Sequence, residues 1–136
     1  MITGLSHFGL TVRDVDVSAA WYEQVLGFHR VGGYASPDGT FRKVFLRHSA
    51  VPVRLTLAQH LHGPGEPFDE TRVGLDHLAF AVANRAALDE WAGRFAAANV
   101  AHSPVARANS IPGAAVLVFR DPDNIQLELF YQPSNA

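Results

Sequence analysis

Residues 4–12 read Gly-Leu-Ser-His-Phe-Gly-Leu-Thr-Val, and residues 74–82 read Gly-Leu-Asp-His-Leu-Ala-Phe-Ala-Val. Gly4/Gly74, Leu5/Leu75, His7/His77 and Val12/Val82 coincide under one constant offset, and the same offset lays Trp21 on Trp91. Matches at five positions in a single register mark two tandem copies of one module. The border falls at the Gly/Pro-rich run His62-Gly-Pro-Gly-Glu-Pro67. The expected organisation is one domain, with module 1 at 1–62, a linker at 63–72 and module 2 at 73–132. A lid is the alternative use for the stretch around the linker, 61–73, which also carries Phe68.

Each copy carries the same run of elements. Phe8, Leu10 and Val12 alternate with His7, Gly9 and Thr11, the period of a strand with one packed face. Asp14 or Asp16 can cap a helix through Ser18–Leu26, and Gly27 suits its C-terminal cap. Strands follow at 29–34, 40–46 and 53–57, the first two joined by Ser36-Pro-Asp-Gly39. The second copy predicts a strand at 77–82 and a helix from Asn84 to Asn99. Strands follow near 101–106, 114–120 and 125–131, with Asp121-Pro-Asp-Asn124 as a tight turn. The fold class expected is α+β: two tandem βαβββ modules forming a curved, mixed, mostly antiparallel sheet with helices outside.

Strand alternation sorts side chains by face. The packed set is Phe8, Leu10, Val12, Val53, Leu55 and Leu57, with Leu78, Phe80, Val82, Ile125, Leu127, Leu129 and Tyr131 in copy two. The open set includes His7, Gly9, Thr11, Arg54 and Thr56, with His77, Ala79, Ala81, Gln126 and Glu128. Two histidines therefore open their modules at equivalent places. Glu128 stands between Leu127 and Leu129, where an unpaired carboxylate is costly to bury. A divalent cation bound by His7, His77 and Glu128 would compensate it, in the two-imidazole, one-carboxylate set used by non-haem Fe(II) and by Mn(II) or Zn(II) sites. The competing reading gives Glu128 an arginine partner such as Arg54 and leaves the histidines as ordinary strand residues.

Composition bounds the rest. The chain has 136 residues, 48% hydrophobic and 18% charged, which is globular. Lys+Arg 11 against Asp+Glu 13 gives a net charge of −2, against nucleic acid as partner. There is no cysteine among the residues, so disulfides, thiolate metal sites and a cysteine nucleophile are excluded. No signal-like or membrane-spanning run is visible, so the expectation is a cytoplasmic protein with no membrane partner.

These motifs resemble the vicinal oxygen chelate superfamily, which includes glyoxalase I, bleomycin-resistance proteins, fosfomycin-resistance transferases and extradiol dioxygenases. The resemblance covers nearly the whole chain. It is carried by the two repeat strands, by Trp21-Tyr-Glu-Gln-Val-Leu-Gly-Phe28, and by Phe119-Arg-Asp-Pro-Asp-Asn-Ile-Gln-Leu-Glu-Leu129. It implies the paired βαβββ fold, metal ligands at His7, His77 and Glu128, and a fourth ligand position at Thr56. Thr56 is a poor ligand, which disfavours a glutathione-dependent glyoxalase I. Val118 stands where extradiol dioxygenases usually carry tyrosine. The tail after Tyr131 lacks the basic residues of fosfomycin transferases. Asn124 replaces the usual turn glycine. Retention of His7, His77 and Glu128 argues against the ligand-free bleomycin-resistance group.

The function expected is a metal-dependent enzyme that binds a small substrate through vicinal oxygens, with dioxygenase-like or lyase/isomerase chemistry. Fe(II) is the favoured metal, with Mn, Zn or Ni as alternatives. Arg54 is placed to hold a substrate carboxylate, and His60 to act as acid or base if its strand reaches it. The alternative is a non-catalytic groove that sequesters a hydrophobic or drug-like ligand. A homodimer is the expected assembly.

Overall fold

A computed structural model describes residues 1–63 and 65–134. The chain folds as α+β, in two compact units of residues 1–66 and 67–136, each with one helix and one four-stranded sheet. The two βαβββ modules expected from the sequence are present, each with its strands hydrogen-bonded into a four-stranded mixed sheet.

In the first unit, β1 (His7–Thr11), α1 (Val15–Leu26), β2 (His29–Ala35), β3 (Phe41–His48) and β4 (Val51–His60) follow in order. The sheet order is β1-β4-β3-β2, with β1 and β4 parallel and the other pairs antiparallel. The Asp14 carboxylate caps α1 by accepting from Asp16 and Val17 N–H at 2.9 and 3.0 Å. Gly27 closes it in the left-handed region at φ 77°. Val15, Ala19, Tyr22 and Leu26 form the buried stripe of the helix. With Leu10, Val12, Val44, Leu46, Leu55 and Leu57 they make the core of this unit. The opposite face of the sheet carries His7, Arg54 and Thr56.

In the second unit, β5 (Leu78–Ala81), α2 (Arg85–Ala97), β6 (Ala106–Arg107), β7 (Ala115–Arg120) and β8 (Gln126–Tyr131) repeat that order. The sheet runs β5-β8-β7-β6, again with one parallel pair, β5 with β8. The repeat read in the sequence is thus a repeat of topology. Asn84 caps α2 through Ala87 N–H at 2.9 Å. Leu88 and Phe95 pack toward Leu117, Phe119, Leu127 and Leu129, all buried.

One strand is shorter than the pattern suggests. Residues 101–105 touch β7 raggedly, through an isolated His102↔Phe119 bridge and a Ser103 N–H to Val118 carbonyl bond of 2.8 Å. Pro104 supplies no donor and restricts Ser103, so a regular ladder starts only at Ala106.

Candidate functional site

The second unit brings two of the sequence-proposed ligands together. β8 is parallel to β5, and Glu128 is the register partner of Ala79. His77 immediately precedes β5, and its Nε2 lies 3.7 Å from Glu128 Oε2. The small residues Ala79 and Ala81 continue this face. Val118 stands directly opposite Glu128 on β7, so the position that is tyrosine in extradiol dioxygenases here is an apolar neighbour of the carboxylate.

The imidazole of His77 is oriented from behind. Its Nδ1 is 2.6 Å from Asp76 Oδ1. That hydrogen bond fixes the ring and leaves Nε2 facing the carboxylate, as a carboxylate behind a metal-binding histidine does. Asp76 also raises the His77 pKa above its usual value, with Glu128 adding to the rise and burial opposing it. The first unit repeats the device with a neutral partner: Ser6 Oγ is 3.1 Å from His7 Nδ1. The constant offset of the repeat puts Ser6 on Asp76 as it puts His7 on His77.

Glu128 is well shielded, its side chain 16% exposed. The arginine on its own sheet face is already engaged. Arg120 grips Glu70 through both guanidinium nitrogens, at 2.7 and 3.0 Å, and also donates to Gln126 at 2.9 Å. This bidentate pair pulls the Glu70 carboxyl down to about 2. Its contribution to stability is therefore complete above Glu70's ordinary pKa of 4.5 and is lost as the pH falls toward 2. A Glu70→Gln variant should unfold more easily than wild type at neutral pH, and the two denaturation curves should converge near pH 2. Curves separated equally at both pH values would show that the pair does not act.

The segment before β5 is built onto the same end of the unit. Phe68 N–H donates to the Asp123 carbonyl at 2.8 Å, and Asn124 Nδ2 to the Phe68 carbonyl at 3.0 Å. Asn124 adopts φ 64°, so it performs the left-handed role of the family's glycine and adds a side-chain bond that glycine lacks. Buried Asp121 holds the turn by accepting from Asp123 and Ile125 N–H, both at 2.8 Å.

The first unit carries His7, Arg54, Thr56 and His60. β1 pairs with β4 so that His7 partners Arg54 and Gly9 partners Thr56. Thr56 Oγ1 and Arg54 Nε are both buried without a hydrogen-bond partner, and each such group costs about 1–3 kcal/mol. The Arg54 guanidinium lies over the Phe45 ring, with Cζ 4.6 Å from the centroid. β4 does extend to His60, which is exposed and 6.1 Å from Phe41 between ring centroids. Of the remaining histidines, His48 packs on Phe28 at 5.2 Å, His102 bonds Ser103, and His29 and His62 are exposed.

The sequence-proposed trio is divided between the units, His7 in the first and His77 with Glu128 in the second. Among the described residues no group of three or more His, Asp or Glu side chains stands together as a ready metal cage. The donor chemistry still suits a divalent cation: a carboxylate with its own arginine neighbour engaged elsewhere, and an imidazole pinned at Nδ1 with Nε2 turned toward it.

A family model described as the Glyoxalase/Bleomycin resistance protein/Dioxygenase superfamily matches residues 4–129. The chain belongs to this superfamily. A glyoxalase/bleomycin resistance protein/dioxygenase domain from Frankia sp. EAN1pec is 34% identical, with TM-score 0.85 over 98% of this chain and 100% of that one. The fosfomycin resistance protein FosX from Mesorhizobium loti is 24% identical, with TM-score 0.70 over 99% and 96%. FosX from Listeria monocytogenes, solved with Mn(II) and sulfate, is 20% identical, with TM-score 0.72 over 99% and 97%. At those identities the two FosX structures establish the shared fold. No curated protein matches the chain.

For this superfamily chain, the sequence alone does not reveal Asp76, Arg120 and Glu70, nor Phe45 as the aromatic partner of Arg54. Asp76 had a signal, since it aligns with Ser6 in the repeat. Arg120 and the ring under Arg54 depend on cross-strand register, and Glu70 lies in a stretch without periodicity.

Proposed function

We propose that this superfamily member is a metal-dependent enzyme acting on a small substrate with two adjacent oxygens. His7, His77 and Glu128 would hold the divalent ion, Fe(II) by preference and Mn, Zn or Ni as alternatives. The observation that carries the reading is the Asp76–His77–Glu128 arrangement, an oriented imidazole set beside a shielded carboxylate. When bound, the metal supplies Lewis acidity toward the substrate oxygens or, as Fe(II), reactivity with O2.

The chain's own groups do the rest. Asp76 and Ser6 fix the two imidazoles so that Nε2 is the free nitrogen. Ala79, Ala81 and Gly9 leave space above the sheets. Arg54 orients an anionic substrate group. His60, at the exposed end of β4, holds or moves a proton at its ring nitrogen. Val118 beside Glu128 offers no hydroxyl, so dioxygenase-like chemistry here would run without the usual tyrosine, and lyase or isomerase chemistry is the other reaction class that the donor set serves.

Elemental analysis of anaerobically purified protein tests the reading. About one divalent transition metal per chain is expected, and its identity selects the activity screen. The second reading, a groove that sequesters a flat hydrophobic ligand, draws on the Phe41 and Phe45 rings lying under Lys43 and Arg54. Metal-free protein that binds such ligands at micromolar concentration without converting them would establish that reading instead.

A further inference from the structure

One face of the first unit's sheet carries positive charge with no carboxylate on the same face. Register partners point to the same side of a sheet. On the side opposite α1, His7 stands beside Arg54, and Gly9 beside Thr56 and Phe45. Thr11 stands beside Ala58 and Lys43, and His60 beside Phe41. This face holds three permanent cations, Arg54, Lys43 and, by alternation along β3, Arg47, and among the described residues of its strands neither Asp nor Glu. Acidic side chains of the unit are occupied elsewhere. Asp14 caps α1, Asp16 bonds Arg30 and Arg42, Glu23 bonds Arg30, and Asp38 bonds Thr40. Arg54 and Lys43 rest on aromatic rings instead, Arg54 on Phe45 at 4.6 Å and Lys43 on Phe41 at 5.1 Å.

Two donors on the face are unanswered. Arg54 Nε and Thr56 Oγ1 are buried without a partner, and Thr56 is only 6% exposed. They lie two residues apart on one strand, so both serve the same side. A guanidinium stacked on a ring has its plane set in advance, which suits two-point recognition of a planar anion. One full charge and a neighbouring hydroxyl match the single charge and two oxygens of a carboxylate. A phosphate, with more charge and a third oxygen, asks for more donors than these two residues present.

We infer that this face is a carboxylate subsite. Arg54 Nε and Thr56 Oγ1 donate to the carboxylate oxygens, and the Phe45 and Phe41 rings take the flat apolar group attached to it. The substrate class is a small aromatic or similarly flat monocarboxylate. The inference rests on the enzyme reading for the fate of that substrate, but the subsite lies within one unit and needs no metal to bind.

The test titrates benzoate, and benzamide as its neutral counterpart, into EDTA-treated full-length protein at low salt by calorimetry. Benzoate should bind and benzamide should not. Arg54→Met should weaken benzoate by about 10- to 100-fold, as expected for losing charge-assisted hydrogen bonds, and Thr56→Val by about three- to tenfold. Added salt should weaken it too. Equal binding of benzoate and benzamide overturns the subsite, as does full affinity in Arg54→Met. Circular dichroism checks that the variant folds. Should Arg54→Met fail to fold, the benzoate–benzamide comparison and Thr56→Val decide alone. Benzoate that binds only after metal is restored overturns the subsite and leaves the metal reading standing. Benzoate binding by a protein that never retains metal upholds the subsite and removes the metal reading.

Discussion

Glu128→Ala should lose divalent-metal affinity by on the order of 100-fold or more while leaving the metal-free fold as stable as wild type. The size follows from position. Loss of an outer hydrogen-bond partner of a ligand costs roughly 10–100-fold in metal affinity, and Glu128 is the proposed ligand itself. Asp76→Asn, which keeps the shape and weakens the hold on His77 Nδ1, should fall within that smaller range. The neutral stability effect follows from burial. The Glu128 side chain is 16% exposed with His77 as its ionic neighbour at 3.7 Å, so removing it relieves a shielded charge and opens no deep cavity. Competition with a coloured chelator measures affinity, and thermal melts in EDTA measure stability. Equal affinity in wild type and Glu128→Ala would remove Glu128 from the metal site. A large drop in the EDTA melt would make it a structural residue.

Phe95→Ala should produce the largest loss of stability, about 3–5 kcal/mol. Phe95 is 1% exposed, and its ring centroid lies 4.5 Å from that of Phe119, itself fully buried. Trp91, 5.4 Å from Phe95, and His102, 6.0 Å away, complete the cluster. Truncation removes the main anchor of α2 on its sheet and leaves a cavity that α2 cannot fill with Ala92 or Ala96. Trp91→Ala should cost less, because Trp91 is only part-buried. Phe119 is the register partner of Leu127, on the side of the sheet away from Glu128. Metal affinity at low temperature should therefore survive in Phe95→Ala. Urea unfolding followed by circular dichroism gives the number. A loss under about 1 kcal/mol would mean that α2 is held by other contacts.

The features that were legible in the sequence are those that depend on local period. Alternation separated Leu10, Leu55 and Leu57 from His7, Arg54 and Thr56 without knowledge of the pairing. Asp14, Asn84 and Gly27 announced their helix ends, and Asn124 its left-handed turn. The repeat singled out His7 and His77 among seven histidines. What stayed hidden depends on register. A bulge between Arg30 and Gly32 shifts β2 against β3, and another irregularity separates Leu46 from His48 opposite β4. Which ring would sit under Arg54 was therefore unreadable. Glu70 was hidden for a different reason: it lies in a stretch without periodicity, and only the fold of the Asp121–Asn124 turn brings that stretch to Arg120.

The parallel pairing of first and last strand has a consequence for how the protein is made. His7 meets Arg54 and Ala79 meets Glu128, so each sheet is completed by residues from near the two ends of its unit. Contacts this distant in sequence form late, after the loop between them has been ordered. On the ribosome, β5 must wait for β8 to emerge before His77 can face Glu128. The His77–Glu128 pair proposed to hold metal thus forms only once β8 has been made. A product that ends before β8 lacks Glu128, and with it the pair proposed to hold metal.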